Sequence, residues 1–401
     1  MSSLQSERRL ARAETTQDSS PEPKMRVAWL IALGVAVTIA AYIGFRLPSL
    51  YAVTLYNITL EDGAWRRGLL GTVLAPLFSL FNYQYWAMAL VAVTFLVSLL
   101  MIAFIVSWRS RWDAQRLLLV FWLLSPAGGF FFHEVGYSDQ LIYLIFIVSA
   151  ILVARVQVGL ASLTLSISVL IHEITLFTSL PLLVLFAALR SLAPSRFLWF
   201  IPPVLVGLVL AAAPQMPTDQ NRELLDSLSQ RLAFEVRPDA VTLFARNLSE
   251  TWELDFYSPI TGLTKVLPLV LVSAVAVAGI LFLLREQMPL GRRRLVALVA
   301  LASTALPYSL VFFGWDFDRW MFLGLTNFLI VVLLLFQRSD AAPSVAAIGL
   351  ALAPIMLLFY VPLTYFDGFV PRALNLTQIQ QSLNAPAEEF FKLPVDRLEA
   401  Q

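Results

Sequence analysis

The sequence predicts an all-α, polytopic integral membrane protein with about eleven transmembrane helices. Three observations carry this. Of 401 residues, 59% are apolar and 14% charged, whereas a soluble domain is roughly 45–50% apolar and about 25% charged. The mean hydropathy of +0.76 excludes a soluble or a disordered chain. The apolar runs are continuous, whereas strands of a membrane barrel alternate apolar and polar residues. Helices satisfy their own backbone groups in lipid, so the spans are helical. Lastly, Lys and Arg are distributed unevenly among the connecting loops, as a fixed orientation demands. The net charge of +1 gives no reason to expect nucleic acid. The absence of cysteine excludes a disulfide framework, a thiol nucleophile and a thiolate metal site.

Residues 1–26 read as a disordered cytoplasmic tail, with Ser19, Ser20, Pro21 and Pro23 near its end. Its length and its acids (Glu7, Glu14, Asp18, Glu22) do not suit a cleaved signal peptide. The run 27–47 is long enough to cross, since a helix needs roughly 20 residues. Further runs lie at 86–107, 117–132, 141–154, 157–171, 174–189, 197–213, 266–284, 295–313, 320–336 and 342–366. Several hold only about 14–17 residues, below the usual crossing length. Pro126, Pro181, Pro202, Pro203, Pro307 and Pro354 predict kinks. The organisation is an N-terminal bundle over 27–213 with an external loop at 48–85, and a C-terminal bundle over 266–366. Segment 214–265 reads as an external cap with helix-like pieces at Asn221–Arg231 and Ala240–Glu250, and 367–401 as an external C-terminal tail.

Orientation decides the stretch 68–81. The tail carries Arg8, Arg9, Arg12, Lys24 and Arg26 and belongs inside. With 68–81 lying at the outer interface, or re-entrant, Arg109, Arg111, Arg116, Arg155, Arg190, Arg196, Arg285, Arg292, Arg293, Arg294 and Arg338 all fall inside. Sixteen of the 28 basic residues are then cytoplasmic. A crossing at 68–81 would invert every later loop. The predicted topology is N-terminus inside and C-terminus outside.

With that topology the compact polar clusters share the outer face, and both histidines are among them. Ionisable residues at membrane depth are costly, so they mark a functional site by default. The first cluster is Glu61, Asp62, Trp65, Arg66 and Arg67. Arg binds phosphate bidentately and keeps its charge, although snorkelling to headgroups also accounts for interfacial arginines. The second and third are His133, Glu134, Tyr137 and Asp139, and His172 and Glu173. Neither His-Glu pair has the second histidine of a zinc motif one turn on, and either His also suits a helix cap. The fourth is Trp315, Asp316, Asp318, Arg319 and Trp320. Its acids also suit a helix start, while Asp316 and Arg319 have the spacing of an i,i+3 pair. No phosphate-binding glycine loop, serine nucleophile elbow or ATP module occurs.

This layout resembles the GT-C class of membrane glycosyltransferases, with Glu61 and Asp62 in the first external loop and 68–81 as an interfacial helix. It is also similar to bacterial O-antigen and exopolysaccharide polymerases, which share external arginines and a long external loop. The chain has no large soluble C-terminal domain, unlike some GT-C members. The resemblance implies transfer of a sugar from a polyprenyl-phosphate donor to a glycan or lipid acceptor. It implies a bacterial inner membrane, an extracytoplasmic active face and no bound cofactor, with a divalent metal compatible but not demanded. Arg66, Arg67 and Arg319 would hold the phosphate. Asp62, then Glu61, would take the acceptor proton, with His133 or His172 assisting the leaving phosphate. Trp65, Glu134, Tyr137, Asp139, Glu173, Trp315, Asp316 and Asp318 would line the substrate pocket. The rival from another class is a lipid-linked substrate transporter or flippase, which uses buried charges as a pathway. Transporters show related halves and broken midplane helices, and the sequence has no such repeat.

Overall fold

A computed structural model describes residues 23–63, 67–81, 84–213, 215–245, 258–287 and 292–391. Most of the 1–26 tail, together with Trp65, Arg66, 246–250 and the end of the C-terminal tail, lies outside the described residues. All regular elements among the described residues are helical.

Helix α1 (Pro23–Gly44) is followed by the short α2 (Leu50–Tyr56), α3 (Gly68–Phe78) and the long α4 (Gln84–Arg109). The apolar run at 117–132 divides into α5 (Asp113–Leu124) and α6 (Pro126–His133), bent by 66°. The cause is local. A residue before proline is pushed out of the α region, and Ser125 sits at ψ 168°, where its Oγ accepts the Ala127 N–H at the new helix start. Then come α7 (Asp139–Ala154), α8 (Val158–Ile171), α9 (Ser179–Leu189) and α10 (Ile201–Ala212). The polar segment holds α11 (Thr218–Arg231) and α12 (Pro238–Thr242). The C-terminal half has α13 (Pro259–Leu283), α14 (Arg293–Ala305), α15 (Phe317–Arg338) and α16 (Val345–Leu357). Two small helices, α17 (Leu376–Asn384) and α18 (Pro386–Phe390), end the described chain.

Six helical segments are long and apolar enough to cross a membrane: Lys24–Gly44, Gln84–Arg109, Pro194–Ala212, Pro259–Leu283, Arg293–Phe312 and Phe317–Arg338. The bent α5–α6 pair would make a seventh. This is fewer than eleven. The other expected spans are helical, but α7, α8, the Glu173–Leu189 stretch and α16 have only 10–17 residues. At 1.5 Å per residue such a helix falls short of the roughly 30 Å hydrocarbon layer. Helix α3 is shorter still, 11 residues, which agrees with reading 68–81 as something other than a span.

Helix α15 is the central post. Of its most apolar window 78% lies inside the protein, against 17–44% for the other five. Asn327 fixes it at mid-height. Its amide donates to Thr178 O at 3.1 Å and Ser303 O at 2.9 Å, and its carbonyl accepts the Tyr143 hydroxyl at 3.0 Å. Such interhelical bonds substitute for the hydrophobic drive that lipid lacks. Close packing elsewhere uses glycine: a methyl on Gly44 would stand 1.8 Å from Gly129 O, so α1 and α6 touch backbone to backbone.

The molecule has two distinct ends. At one end Arg26 lies 5.9 Å over the Trp108 ring, and Arg111, Arg190 and Arg338 donate to backbone carbonyls of Ser339, Ala154 and Leu189. These are residues that the charge distribution groups on one side. At the other end the predicted cap is a small second core, in which Ile58 packs with Met216, Leu224, Leu228, Val236, Val241 and Phe244. The C-terminal strap folds back to this same end. Arg372 donates to Tyr42 O at 3.0 Å and Phe45 O at 2.9 Å, capping α1, and it also bonds Glu389.

Candidate functional site

Five chain segments meet at the end opposite Arg111 and Arg338. Ser49 caps α2 by accepting the Ala52 N–H, and this helix brings Tyr51, Ala52, Leu55 and Tyr56. Arg67 precedes α3 in the left-handed conformation, φ 69°. A non-glycine residue there is uncommon and marks a backbone held by its surroundings. The turn after α6 contains Gly136 at φ 99°, where a Cβ would also meet Pro48 at 2.6 Å. That turn sets Tyr137 and Asp139. Helix α8 stops at His172, whose backbone is extended (φ −159°). Helix α15 begins after Asp316 and carries Arg319 in its first turn.

Together they line a tight cleft of about 40 Å³. Its lining includes the apolar Leu55, Leu70 and Ile171 and the polar Arg67, Tyr137, His172 and Arg319. Tyr51 and Tyr137 stack with centroids 6.2 Å apart. Arg319 is held by Asp139 through two bonds of 2.7 Å, Nε to Oδ2 and Nη2 to Oδ1. Its Nη1 lies 3.7 Å from Asp316 Oδ2, its Nη2 3.5 Å from His172 Nε2, and its guanidinium 5.4 Å from the Tyr137 ring centre. Arg67 pairs with Glu173, Nη2 to Oε1 at 2.5 Å and Nε to Oε2 at 3.2 Å. Glu173 Oε2 is in turn 3.4 Å from His172 Nδ1.

Burial and the neighbouring Arg67 lower His172 to a pKa of about 4, so it is neutral at pH 7. Asp316 is the reverse case: burial raises it above the ordinary aspartate range, opposed by Arg319. Its side chain remains 32% exposed. Glu134 is raised well above its ordinary value by full burial and by Asp139. Neither of its oxygens has a hydrogen-bond partner at normal length.

The sequence-predicted residues therefore divide. Arg67, Tyr137, Asp139, His172, Glu173, Asp316, Arg319 and the buried Glu134 form one cluster. Asp62 does not join it. Its carboxylate accepts from Thr59 N at 2.8 Å, Thr59 Oγ1 at 3.0 Å and Arg231 at 2.7 Å, closing a capping box and tying α11 to the first loop. Glu61 is exposed on the same turn. His133 is also structural: its Nε2 accepts the Phe366 N–H at 2.8 Å among Phe130, Tyr365 and Phe369, and so pins the C-terminal strap. Asp318 bonds Lys265 at 2.9 Å, joining α15 to α13. Trp315 is half-buried and is not part of the cleft wall. Trp65 and Arg66 fall outside the described residues. Of the second cap piece, Ala240–Glu250, only its start is helical among the described residues, in α12.

Sequence reasoning missed Tyr51, Leu55, Tyr56, Leu70 and Ile171. Ser49 before an apolar stretch was a legible cap signal for α2; its meeting with Ile171, His172 and Arg319 around one cleft was not. Among the described residues no group of three or more His, Asp or Glu is arranged to hold a metal ion. No protein-family profile, no curated protein and no solved structure matches this chain.

Proposed function

We propose that the chain is a membrane transferase that binds a phosphate-bearing lipid, a sugar on polyprenyl phosphate, in this cleft and passes the sugar to a glycan or lipid acceptor. The reading includes eleven crossings with the N-terminus inside, which puts the cleft on the extracytoplasmic side of a bacterial inner membrane. The observation that carries it is that buried Arg319 and half-buried Arg67 line one cleft together with apolar side chains. Arg67 and Arg319 suit a phosphate oxygen cluster and would stabilise charge as the phosphate leaves. The apolar lining residues suit the first isoprene units. The stacked Tyr51 and Tyr137 give a flat face for a sugar ring.

The base is reassigned. Asp62, Asp139 and Glu173 spend their lone pairs on fixed partners. Asp316 has one long ion pair, partial exposure and a raised pKa. A base poised nearer the working pH is the more effective one, so Asp316 takes the acceptor's proton. His172, neutral and next to Arg319, is placed to give a hydrogen bond to the departing phosphate. The charged residues stand at helix ends, not at mid-helix breaks, which favours transfer over transport.

The test is transfer from labelled polyprenyl-phosphate sugars in membranes carrying Asp316→Asn. Loss of general-base assistance lowers the rate by about 10²–10⁴-fold at unchanged protein level, while Asp318→Asn transfers normally. Wild-type rates in Asp316→Asn would remove the assignment.

A further inference from the structure

Behind the cleft lies a carboxyl that the transfer reading does not use. Glu134 is fully buried and follows the end of α6, and its oxygens have no partner in good hydrogen-bond geometry, its one polar neighbour being the Asp139 carboxyl. An ionised carboxylate without partners in such a place is prohibitively costly. The charged and titratable groups that face it are Asp139 of α7, Asp316 and Arg319 at the start of α15, and Tyr137 of its own turn. Asp139 in turn faces His172, Tyr56 and Tyr143. The single cation in this group, Arg319, is already committed to Asp139 through both of its carboxylate oxygens.

The charge count makes this arrangement matter. With Glu134 and His172 neutral, the cluster contains two cations, Arg67 and Arg319, and three anions, Glu173, Asp139 and Asp316. A phosphate arriving at Arg319 meets a site without excess positive charge. Each extra like-charge contact opposes binding. The site needs a way to lose a negative charge as the anion arrives.

We infer that Glu134 and Asp139 are a proton-holding dyad, carrying one proton while Arg319 is bound to Asp139 and taking up a second from solvent when Arg319 turns to an anionic ligand. No bond to carbon changes; one proton moves from water onto a carboxylate, and the anion replaces the lost negative charge as the guanidinium's partner. Asp139 then stands as a neutral acid beside Glu134, so no unpaired buried charge is left behind. Anion binding is thereby coupled to pH: affinity falls as pH rises, by about tenfold per unit where one proton is taken up. Glu134 acts through Asp139 and Arg319, so it is a positioning residue. The inference rests on the phosphate reading only for the identity of the ligand.

The experiment is infrared difference spectroscopy of the full chain in lipid nanodiscs at neutral pH. The wild type shows a protonated carboxylic-acid band that Glu134→Gln removes. Asp139→Asn also removes it, because Glu134 becomes the partner of Arg319 and ionises. Arg319→Gln gains a second such band without any ligand. Inorganic phosphate then produces the same gain in the wild type, with uptake of about one proton per phosphate bound. A wild-type spectrum that Glu134→Gln leaves unchanged overturns the dyad. If the variants behave as stated but phosphate changes nothing, the dyad stands and the phosphate reading fails.

Discussion

The arginines of the cleft and those of the opposite end take different partners. At the end with Arg26, the guanidinium groups of Arg111, Arg190 and Arg338 reach backbone carbonyls at the C-termini of neighbouring helices. They satisfy the last, orphaned acceptors of those helices and complement their dipoles. At the cleft end, Arg67 and Arg319 ignore the backbone and take carboxylates in two-point contacts. A capping arginine is consumed by the fold. A carboxylate-paired arginine can exchange its partner for another anion of similar geometry, such as a phosphate. Partner type separates the two cleft arginines from capping ones such as Arg111, Arg190 and Arg338, and from Arg372 at their own end.

The sharpest way to break this contrast is at Arg319. Removing one member of a buried pair leaves an uncompensated charge, with a penalty of about 3–5 kcal/mol. Asp139→Ala and Arg319→Ala should therefore each lower the unfolding temperature of the purified chain markedly and abolish transfer. The double variant should recover part of the stability and none of the activity. Singles with near wild-type melting would mean that Arg319 is not buried against Asp139 as described.

Acidity sharpens it next. His172 has a pKa of about 4 in the fold against an ordinary 6.5. Its unfolded form binds the proton more readily, so stability is present above pH 6.5 and is lost as pH falls from 6.5 towards 4. Glu134 works the other way. Its raised pKa means the folded state holds the extra proton, so stability falls as pH rises above the ordinary carboxyl range. Melting curves across pH should flatten on the acid side in His172→Gln and on the alkaline side in Glu134→Gln. Unaltered acid-side slope in His172→Gln would contradict a neutral, buried histidine.

At the capping end the comparison is with Arg116. It is buried and donates to Ser107 O at 2.9 Å, Ser110 O at 2.5 Å and Asp113 at 2.8 Å. Arg116→Ala strands two buried carbonyls, which costs about 1–3 kcal/mol. The melting temperature should drop while transfer per folded molecule stays at the wild-type level. A fall in specific activity would show that this end takes part in the reaction.

How far the sequence went follows the same division. Helix content, the shortness of the helix within 68–81, the break at Pro126 and the grouping of arginines at one end all come from local rules: run length, proline geometry and charge asymmetry. Those rules act within one loop or helix and are legible residue by residue. The gathering of Arg67, Asp139, His172 and Arg319 was also anticipated, because ionisable residues next to apolar runs have few places to go. The misplacements involve residues whose partners are distant in sequence. Asp62 meets Arg231 and His133 meets the Phe366 N–H, and no local pattern announces either contact. At the short helices two local signals part: hydropathy reports apolarity, while crossing also needs length.

The smallest expected effect lies at Arg190. Its Nη2 donates to Ala154 O at 3.2 Å, at the exposed end of α7. It sits at the exposed end of its own helix, in the setting where water can replace the bond. A cation near a helix C-terminus is worth about 0.3–1 kcal/mol at low salt. Arg190→Ala should shift melting only slightly, and salt should erase that shift by screening. Activity should be untouched. The same substitution at Arg67, also one arginine at a helix end, should remove transfer, because Arg67 answers a carboxylate beside the cleft and not a carbonyl. Equal consequences at the two positions would mean that partner type does not distinguish the ends, and the assignment of the cleft as the working end would lose its basis.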